Sequence, residues 1–600
     1  METTPNDPTQ YPLGSHLTEE GAAFRVWAPN ATKVSVIGSF NDWNPETHPL
    51  ESSDEGVWSC FIEGAKDGDE YKYAIENGDQ KMARIDPRAI EVTNSTGNSI
   101  LRGGDFDWGD CDFKISAHNH LVIYELHPWT FPEDRGTPCL DAIIPKLQYL
   151  ADLGINAIEV MPLAEFPGDV SWGYNPSHPY AVESSYGGPQ ALKRLVRAAH
   201  EHGVAVILDV VYNHFGPGDL NLWKFDGWSE NDGGGIYFYN NWKAETPWGA
   251  TRPDYGRDEV RCYIRDNALM WLHEYRVDGL RYDATLLIRN TNEDESRENE
   301  IPEGWSLVQW INEDIRKQFP DRIIIAEDLK SNAALTRPRE DGGAGFHSQW
   351  DANFVFPIRD QLNKAEDPWR SVGIVKETLL FNYNGNVFER IIYTESHDEV
   401  AEGKAKRVPQ DVQDDCADGY FAQKLSCLGA GLLFTCPGIP MIFQGQEFLQ
   451  GGAFNDEFPL EWNLAEKFSG LVKMYRDLIF LRQNREGFSG GLSGQGIIVH
   501  HANDEQNLIA FQRFADHGRG DDVIVICNFS SEERDGYRIG MPCDGGWKLR
   551  FNSDAKLYSE LFGDIPSLDL TADGEGRDGM PHSALIRIAP YTTLIYSQEK

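Results

Sequence analysis

Between about residues 120 and 485, short apolar runs alternate with stretches of helical periodicity, and few folds accommodate that pattern. The runs typical of buried strands lie at 122–126, 157–162, 204–211, 279–283, 322–328, 390–396 and 440–447. The helical stretches lie near 140–152, 189–202, 258–275, 305–318, 416–433 and 469–484. Strands that alternate with helices pair in parallel, so the pattern predicts a parallel sheet.

Seven strands are recognisable in this region, and an eighth would close a (β/α)₈ TIM barrel. The missing strand is predicted within 345–385, around FHSQWDANFVF at 346–356, where the periodicity is weak. The helix at 189–202 has one apolar face, as packing against a barrel requires. That face consists of Leu192, Leu195, Val196 and Ala199. A barrel is therefore expected over residues 111–487.

Both flanks of the barrel alternate apolar and polar residues in short runs, the period-2 pattern of antiparallel sheets. Residues 1–110 are predicted to form an N-terminal β-sandwich, with runs such as FRVWAP at 24–29. Residues 488–600 are predicted to form a C-terminal all-β domain. Within the barrel, 212–257 is rich in Gly, Asn, Trp and Tyr and has no helical period, so it is expected to be a long loop over the barrel mouth.

The charge balance excludes some partners. The 600 residues include 95 acidic and 54 basic side chains, a net charge of −41 at pH 7, without a local run of Lys or Arg. Such a surface repels phosphate groups, so neither nucleic acid nor a membrane is an expected partner.

The N-terminal METTPNDPTQ has no signal-peptide pattern and no apolar stretch approaches the roughly 18 residues of a membrane span, which favours a cytoplasmic location. Nothing in the sequence indicates an oligomeric state.

The cysteine content and the aromatic content lead to two separate predictions about disulfides or metals and about ligand binding. The nine cysteines are scattered and never adopt a CxxC or Cys/His ligand spacing, so neither disulfides nor a structural zinc site is expected. The 17 Trp, 23 Tyr and 30 Phe are more than core packing usually requires in so polar a chain. Some of these rings are therefore expected to face a ligand.

Four acidic residues are predicted at the carboxyl ends of different barrel strands: Asp209, Asp283, Glu327 and Asp398. Barrel enzymes carry their active sites on that face. Cleavage of a glycosidic bond needs one carboxylic acid to protonate the leaving oxygen and one carboxylate to attack the anomeric carbon, about 5–5.5 Å apart in retaining enzymes. Acids that converge on one barrel mouth can supply both.

The strings around these acids are DVVYNH at 209–214, GLRYDA at 279–284, AED at 326–328 and SHDE at 396–399. In this order and on these strands they resemble the four short motifs of the α-amylase clan, glycoside hydrolase family 13. The clan also has counterparts of both flanking β-domains. The resemblance implies a retaining enzyme that acts on α-1,4-linked glucan through a covalent glycosyl-aspartate. It implies no organic cofactor, and it neither requires nor excludes a calcium ion.

Carried over residue by residue, the resemblance implies a catalytic role for three acids. Asp283 corresponds to the nucleophile, Glu327 to the general acid/base, and Asp398 to the third acid, which holds the hydroxyls of the distorted sugar. His214 and His397 resemble the paired histidines that hydrogen-bond the same sugar ring.

Three more residues belong to the expected site. Tyr174, in WGYNP at 172–176, resembles the aromatic residue that stacks against the sugar. Asp209, together with Asn213, resembles residues that orient the following loop and sometimes a calcium ion. Arg281 lies two residues before Asp283, hence on the same face of its strand, and is expected to keep that carboxylate ionised. Burial beside other carboxylates is expected to raise the pKa of Glu327.

Each residue taken alone has a simpler explanation. An acid after a strand is commonly a cap or turn residue, a histidine a core residue, and Arg-x-Asp a surface ion pair. Their joint occurrence at successive strand ends favours the functional interpretation. Trp43, in SFNDWNP at 39–45, is either a sandwich core residue or a glycan contact, because this string resembles the starch-binding-like domain of branching and debranching enzymes.

Clan members differ in the acceptor that resolves the glycosyl-enzyme, which is water in a hydrolase and a sugar hydroxyl in a transferase. Three features resemble a 1,4-α-glucan branching enzyme, and branching is the favoured prediction. They are the FNDW string of the first domain, Glu399 after Asp398 with Gly403-Lys404 following, and FQGQEF at 443–448.

Two alternatives stay open. WGYNPSHPYAVESSYGGP at 172–189 and VDGLRYDAT at 277–285 are similar instead to maltooligosyltrehalose trehalohydrolase or isoamylase, so trehalose release or hydrolysis remains an alternative. A more distant alternative is a catalytically silent glucan-binding protein. Such a protein would be expected to lack at least one of the three catalytic acids, and this chain keeps all of them.

Overall fold

The computed structural model describes residues 6–53, 55–134 and 138–599. The first five residues, half of the N-terminal segment considered above for a signal peptide, lie outside the described residues. The strands fall into an N-terminal group, a central barrel and a C-terminal group. Within the described ranges, no helix is both long and apolar enough to cross a membrane, and no disulfide bond is present.

The N-terminal strands form two antiparallel sheets, which confirms the predicted β-sandwich. One sheet has the order β1-β2-β5-β4, and the other has the order β3-β6-β7 with β8 paired to β6. The strands are β1 (Gly14–Leu17), β2 (Gly21–Trp27), β3 (Lys33–Gly38), β4 (Glu51–Ser52), β5 (Val57–Glu63), β6 (Glu70–Asn77), β7 (Gln80–Arg84) and β8 (Ser99–Ile100). Trp43 lies outside these strands with 37% of its surface exposed, so it is not a core residue of the sandwich.

The central strands close into a parallel barrel, which confirms the predicted (β/α)₈ fold. The strands of this region are β9 (Ile123–Leu126), β10 (Ala157–Val160), β11 (Ala164–Glu165), β12 (His178–Val182), β13 (Ala205–Val210), β14 (Gly279–Tyr282), β15 (Ile323–Ala326), β16 (Ser348–Trp350), β17 (Arg390–Ile392) and β18 (Ile439–Phe443). β11 and β12 form a separate antiparallel hairpin. The other strands follow one another around the barrel, and β18 pairs with β9 to close it.

The inward-facing residues of the barrel form layers of different chemistry. Successive side chains of a strand point to opposite faces, so residues two apart share the interior. A lower layer is apolar and includes Ile123, Ala157, Ile207, Ile325, Ile391 and Met441. Two residues further along four of the strands, the buried residues are polar: Glu125, Glu159, Asp209 and Arg281. This polar layer lies at the carboxyl side of the barrel, directly beneath the expected active site.

The helices surround the barrel, and the predicted apolar face of α3 is fully buried. The helices are α1 (Cys139–Ile143), α2 (Leu147–Leu153), α3 (Gly188–Glu201), α4 (Asp258–Glu274), α5 (Thr285–Arg289), α6 (Pro302–Gln318), α7 (Ala352–Asn363), α8 (Val372–Leu380), α9 (Val408–Val412), α10 (Tyr420–Thr435), α11 (Asn463–Lys467) and α12 (Ser469–Arg482). Burial of each large apolar side chain on such a face stabilises the fold by roughly 1.5–3 kcal/mol.

Two predicted elements differ from the structure in detail. The single helix expected near 140–152 is divided into α1 and α2 by a 3₁₀ turn at Ile144–Lys146. Pro145 lies in this turn, and its missing N–H prevents a continuous helical hydrogen-bond ladder. The eighth strand, β16, does lie in the predicted window. It is only three residues long and includes the buried polar Ser348 and Gln349, which explains its weak periodicity.

The C-terminal domain is all-β, as predicted. Its six-stranded sheet has the order β19-β20-β21-β26-β23-β24, and β22 pairs with β25. The strands are β19 (Gly496–Asn503), β20 (Leu508–Phe514), β21 (Val523–Asn528), β22 (Arg534–Met541), β23 (Gly545–Asn552), β24 (Leu570–Ala572), β25 (His582–Ile588) and β26 (Thr592–Ser597). A buried ion pair joins it to the barrel: Lys424 Nζ of α10 donates to Asp554 Oδ1 at 2.8 Å.

The 212–257 segment is the long loop that the sequence predicts, with one short 3₁₀ turn at Trp242–Ala244. The N-terminal domain holds this loop in place. Asp226 Oδ2 accepts hydrogen bonds from the backbone and side chain of Asn30, both at 2.9 Å. Arg84 donates to the carbonyls of Lys224 and Phe225 at 2.9 and 3.1 Å. These hydrogen bonds fix residues 224–226 of the loop against the first domain.

Candidate active site

The four acids predicted at strand ends all lie on the carboxyl side of the barrel. Asp209 is the fifth residue of β13, and Asp283 and Glu327 immediately follow β14 and β15. Asp398 lies in the loop after β17. Three of these positions are fixed by strands of the closed barrel, so the carboxyl groups face one shared mouth.

A single guanidinium brings three of the carboxyl groups together. Arg281 Nη1 donates to Asp209 Oδ2 at 2.7 Å and to Asp283 Oδ1 at 3.1 Å. Its Nη2 lies 3.8 Å from Glu327 Oε2. Arg281 is fully buried and shares the inward face of β14 with Asp283, as the two-residue spacing predicts. Its charge lowers the pKa of Asp209 and of Glu327 and so opposes the effect of their burial.

Asp283 is held through both of its carboxylate oxygens. Oδ1 accepts from Arg281, and Oδ2 accepts from the side-chain amide of Asn213 at 2.7 Å. The same amide donates to the Asp283 carbonyl at 3.0 Å. Asn213, considered above for orienting the loop and sometimes a calcium ion, therefore orients the carboxylate of Asp283.

Glu327 lies where burial favours its protonated form. Burial raises the pKa of Glu327 to about 7, with Arg281 opposing the shift and the charges of Asp283 and Asp398 adding to it. The backbone N–H of Ala284 donates to Oε2 at 2.6 Å. Ala284 has a φ of 39°, a left-handed conformation that is uncommon outside glycine and often found at functional sites.

The surroundings of Asp398 lower its pKa, in contrast to those of Glu327. Lys404 Nζ donates to Asp398 Oδ2 at 2.7 Å and lies 3.3 Å from Glu399 Oε1. Burial would raise the pKa of Asp398, but the charges of His397, Lys404 and Arg281 outweigh it and hold that pKa below its usual value. The pKa values of Glu327 and Asp398 are therefore shifted in opposite directions, the arrangement in which two carboxyl groups take different roles.

Aromatic rings complete one side of the mouth. Tyr174 stacks on His397, with ring centroids 5.0 Å apart, and its hydroxyl donates to Asp209 Oδ2 at 2.6 Å. On the other side His214 stacks on Trp248, with centroids 4.4 Å apart. Burial lowers the pKa of His214 to about 4, so its imidazole is neutral at pH 7.

All eight predicted site residues thus meet at this mouth, and two further residues were missed by the sequence analysis. Trp248 comes from the long loop and is 48% exposed beside His214. Glu125 of β9 is buried and hydrogen-bonded to His397. An acid within the apolar run VIYEL was the available signal for Glu125. For Trp248 the aromatic composition of the loop was the only signal in the sequence, because its contact with His214 depends on how the loop folds.

The two residues considered for a calcium ion, Asp209 and Asn213, are hydrogen-bonded to other residues of the site. Asp209 accepts from Tyr174 and Arg281, and Asn213 donates to Asp283. In the part of the chain that the structure describes, no group of three or more His, Cys, Asp or Glu side chains is arranged to hold a metal ion.

Family models match all three parts of the chain. The model of the α-amylase catalytic domain matches residues 125–231 and 221–471, more than half of the chain. The chain belongs to the α-amylase family. Carbohydrate-binding module 48, the isoamylase N-terminal domain, matches 12–89, and the C-terminal all-beta domain of α-amylase matches 498–599.

Curated relatives match nearly the whole chain. A 1,4-alpha-glucan branching enzyme of Corynebacterium jeikeium is 30% identical over 97% of this chain and 82% of its own length. Another, from Marinobacter nauticus, is 32% identical over 91% of this chain and 90% of its own length. The protein is therefore an α-glucan-active enzyme, a glycosyltransferase or glycoside hydrolase, which confirms the predicted enzyme class.

Solved structures of the α-amylase family share the fold. A putative α-amylase from Salmonella typhimurium superposes with a TM-score of 0.72 at 23% identity, covering 98% of this chain and 99% of that one. A Bacillus subtilis pullulanase complexed with maltose superposes with a TM-score of 0.74 at 21% identity, covering 98% of this chain and 86% of that one. At such identities the likeness shows the three-part fold alone.

Proposed function

We propose that this protein is a 1,4-α-glucan branching enzyme, which cleaves a 1,4 linkage and transfers the released segment to a 6-hydroxyl of a glucan. The observation that carries the proposal is the similarity to branching enzymes over nearly the entire chain, N-terminal domain included. The intact set of Asp283, Glu327 and Asp398 around Arg281 supports an active enzyme over a silent binding protein.

In the first step, a carboxylate oxygen of Asp283 attacks the anomeric carbon while Glu327 gives its proton to the leaving glycosidic oxygen. The bond from the anomeric carbon to that oxygen breaks, and an ester to Asp283 forms. Arg281 and Asn213 hold the Asp283 carboxylate in a fixed orientation for this attack. Fixed orientation lowers the entropic cost of reaching the transition state.

In the second step, the ionised Glu327 accepts the proton of the incoming hydroxyl, whose oxygen attacks the anomeric carbon and releases Asp283. Asp398, held ionised by Lys404, accepts hydrogen bonds from the sugar hydroxyls as positive charge develops on the ring. The neutral His214 and the aromatic face of Tyr174 contact the same sugar. These steps use only side chains of this chain, and we propose that no organic cofactor takes part.

Product analysis distinguishes branching from hydrolysis. Amylose incubated with the enzyme is expected to gain 1,6 linkages, visible by proton NMR, with little rise in reducing ends. Glu327→Gln serves as the inactive control. A rise in reducing ends without 1,6 linkages would make the protein a hydrolase. Release of trehalose from maltooligosyltrehalose would support the alternative suggested by the 172–189 and 277–285 strings.

The pH dependence of activity tests the role of Glu327. Because the acid must be protonated in the free enzyme and its pKa is about 7, kcat/KM for amylose is expected to fall as the pH rises through about 7. Asp398, with a pKa below its usual value, stays ionised over that range. An α-maltosyl fluoride, whose leaving group needs no proton, is expected to lose this alkaline limb. The same limb with both substrates would assign it to another group.

A further inference from the structure

Both carboxylate oxygens of Glu125, in β9, accept hydrogen bonds from His397. Oε2 accepts the backbone N–H of His397 at 3.1 Å, and Oε1 accepts the ring Nδ1–H. Glu125 is 1% exposed, so this contact is shielded from water. Hydrogen bonds to a charged group are about twice as strong as neutral ones, and a two-point contact also fixes direction.

The ring of His397 is enclosed on its other sides. Tyr174 stacks on it at an interplanar angle of 22°, and Trp172 meets it edge-on with centroids 5.7 Å apart. Trp350 packs at a tilt, 5.9 Å away. Nε2 has no hydrogen-bond partner among the described residues. With Nδ1 occupied by Glu125, Nε2 is the nitrogen that remains for a ligand at the mouth.

We propose that Glu125 is a positioning residue, which holds His397 with Nδ1 protonated and Nε2 turned to the sugar. Its catalytic part rests on the proposed function, since it assumes that the sugar at this mouth is the one attacked by Asp283. Glu125 itself touches no substrate in this scheme and acts through His397.

The charges around His397 support this role. The groups that face it are the carboxylates of Glu125 and Asp398, the guanidinium of Arg281 and the hydroxyl of Tyr174. Burial and Arg281 lower the pKa of His397, but Glu125 outweighs them and raises it above its usual value. Without the charge of Glu125, the pKa of His397 loses the largest interaction that raises it and is expected to fall. The charge of His397 is in turn one of those that hold the pKa of Asp398 low.

Glu125→Gln tests the proposal against a matched control, Glu159→Gln. Glu159 occupies the adjacent position on β10, paired with Glu125, and is equally buried. Neither of its oxygens has a hydrogen-bond partner in the described structure, and burial raises its pKa well above the usual value. An amide of the same shape at this position therefore breaks no hydrogen bond of the described structure. Glu159→Gln is therefore expected to leave the activity and its pH profile unchanged.

In Glu125→Gln, kcat/KM on amylose is expected to fall about 10- to 100-fold, the range found when the hydrogen-bond partner that orients a metal-bound histidine is lost. Because the loss of Glu125 is expected to lower the pKa of His397, the neighbour of Asp398, the pH profile is expected to change shape as well. Glu125→Asp keeps the charge and is expected to recover part of the loss. A Glu125→Gln profile that matches Glu159→Gln would overturn the proposal.

Histidine-labelled NMR gives a readout that needs no turnover. The signal of His397, assigned with His397→Gln, is expected to titrate above the usual histidine range in the wild type and at least about one pH unit lower in Glu125→Gln. An unchanged titration would overturn the proposal even if the enzyme branches glucan. A shifted titration in an enzyme that proves to be a hydrolase would contradict the proposed function alone. If Glu125→Gln does not fold, the same comparison is made with Glu125→Asp, with a smaller expected shift.

Discussion

Replacing Asp283 with asparagine is expected to lower the turnover of amylose by at least about 10⁴-fold, equivalent to about 5.5 kcal/mol of transition-state stabilisation. An amide oxygen neither attacks the anomeric carbon effectively nor balances the positive charge that develops on the sugar. The substitution is nearly isosteric, and Arg281 can still donate to the remaining carbonyl oxygen. The fold is therefore expected to survive, and the loss is expected in kcat.

The measurement is steady-state turnover of amylose by wild type and Asp283→Asn, with the temperature of unfolding recorded for both. Glu159→Gln, a second buried acid replaced by its amide in the same barrel, serves as the control and is expected to retain wild-type turnover. Asp283→Asn with more than about a tenth of wild-type activity would be incompatible with a nucleophilic role for this residue.

Breaking the buried ion pair between the barrel and the C-terminal domain is expected to lower the free energy of unfolding by about 3–5 kcal/mol. Lys424 is 0% exposed and Asp554 is 1% exposed, so Lys424→Met leaves a carboxylate in a site without access to water. Asp554 keeps the backbone donors of Gly563 and Ile565, at 3.1 and 2.9 Å, but no cation. Removing one partner of a buried pair costs far more than removing an exposed one.

Urea unfolding followed by tryptophan fluorescence measures this effect. The matched control is Lys467→Met, which breaks the Lys467–Asp418 pair at 2.8 Å, whose side chains are 54% and 51% exposed. An exposed pair contributes about 0–1 kcal/mol, so this control is expected to unfold almost like the wild type. Equal losses in the two variants would show that the buried pair does not fasten the two domains together.

The predictable part of the fold depends on local pattern. Seven barrel strands are short, mostly apolar runs of buried residues, and such runs are recognisable from the local sequence alone. β16 is not recognisable in this way, because Ser348 and Gln349 are polar residues that are buried only once the barrel has closed. The break between α1 and α2, by contrast, is predictable from the sequence, because Pro145 interrupts a helix whatever surrounds it.

Some residues of the active site are likewise predictable from their position in the sequence, and others are not. Asp283 and Glu327 stand directly after their strands, so their common location follows from the parallel barrel alone. Glu125 lies within an apolar run, and its partner His397 is far along the chain, so only the folded barrel reveals the contact. The contact of Asp226 with Asn30, which ties the long loop to the first domain, is equally remote in sequence. Long-range polar partners leave no periodic signal.

The covalent intermediate is best sought in Glu327→Gln incubated with α-maltotriosyl fluoride. Fluoride departs without a proton, so Asp283 is still able to attack, whereas the glycosyl-enzyme lacks the base that activates an acceptor. Mass spectrometry of the digested protein is expected to find the maltotriosyl group on the peptide that contains Asp283, bound to that residue. A maltotriosyl group on another side chain, or release of fluoride with no bound sugar at all, would contradict the assignment of Asp283 and the double displacement built on it.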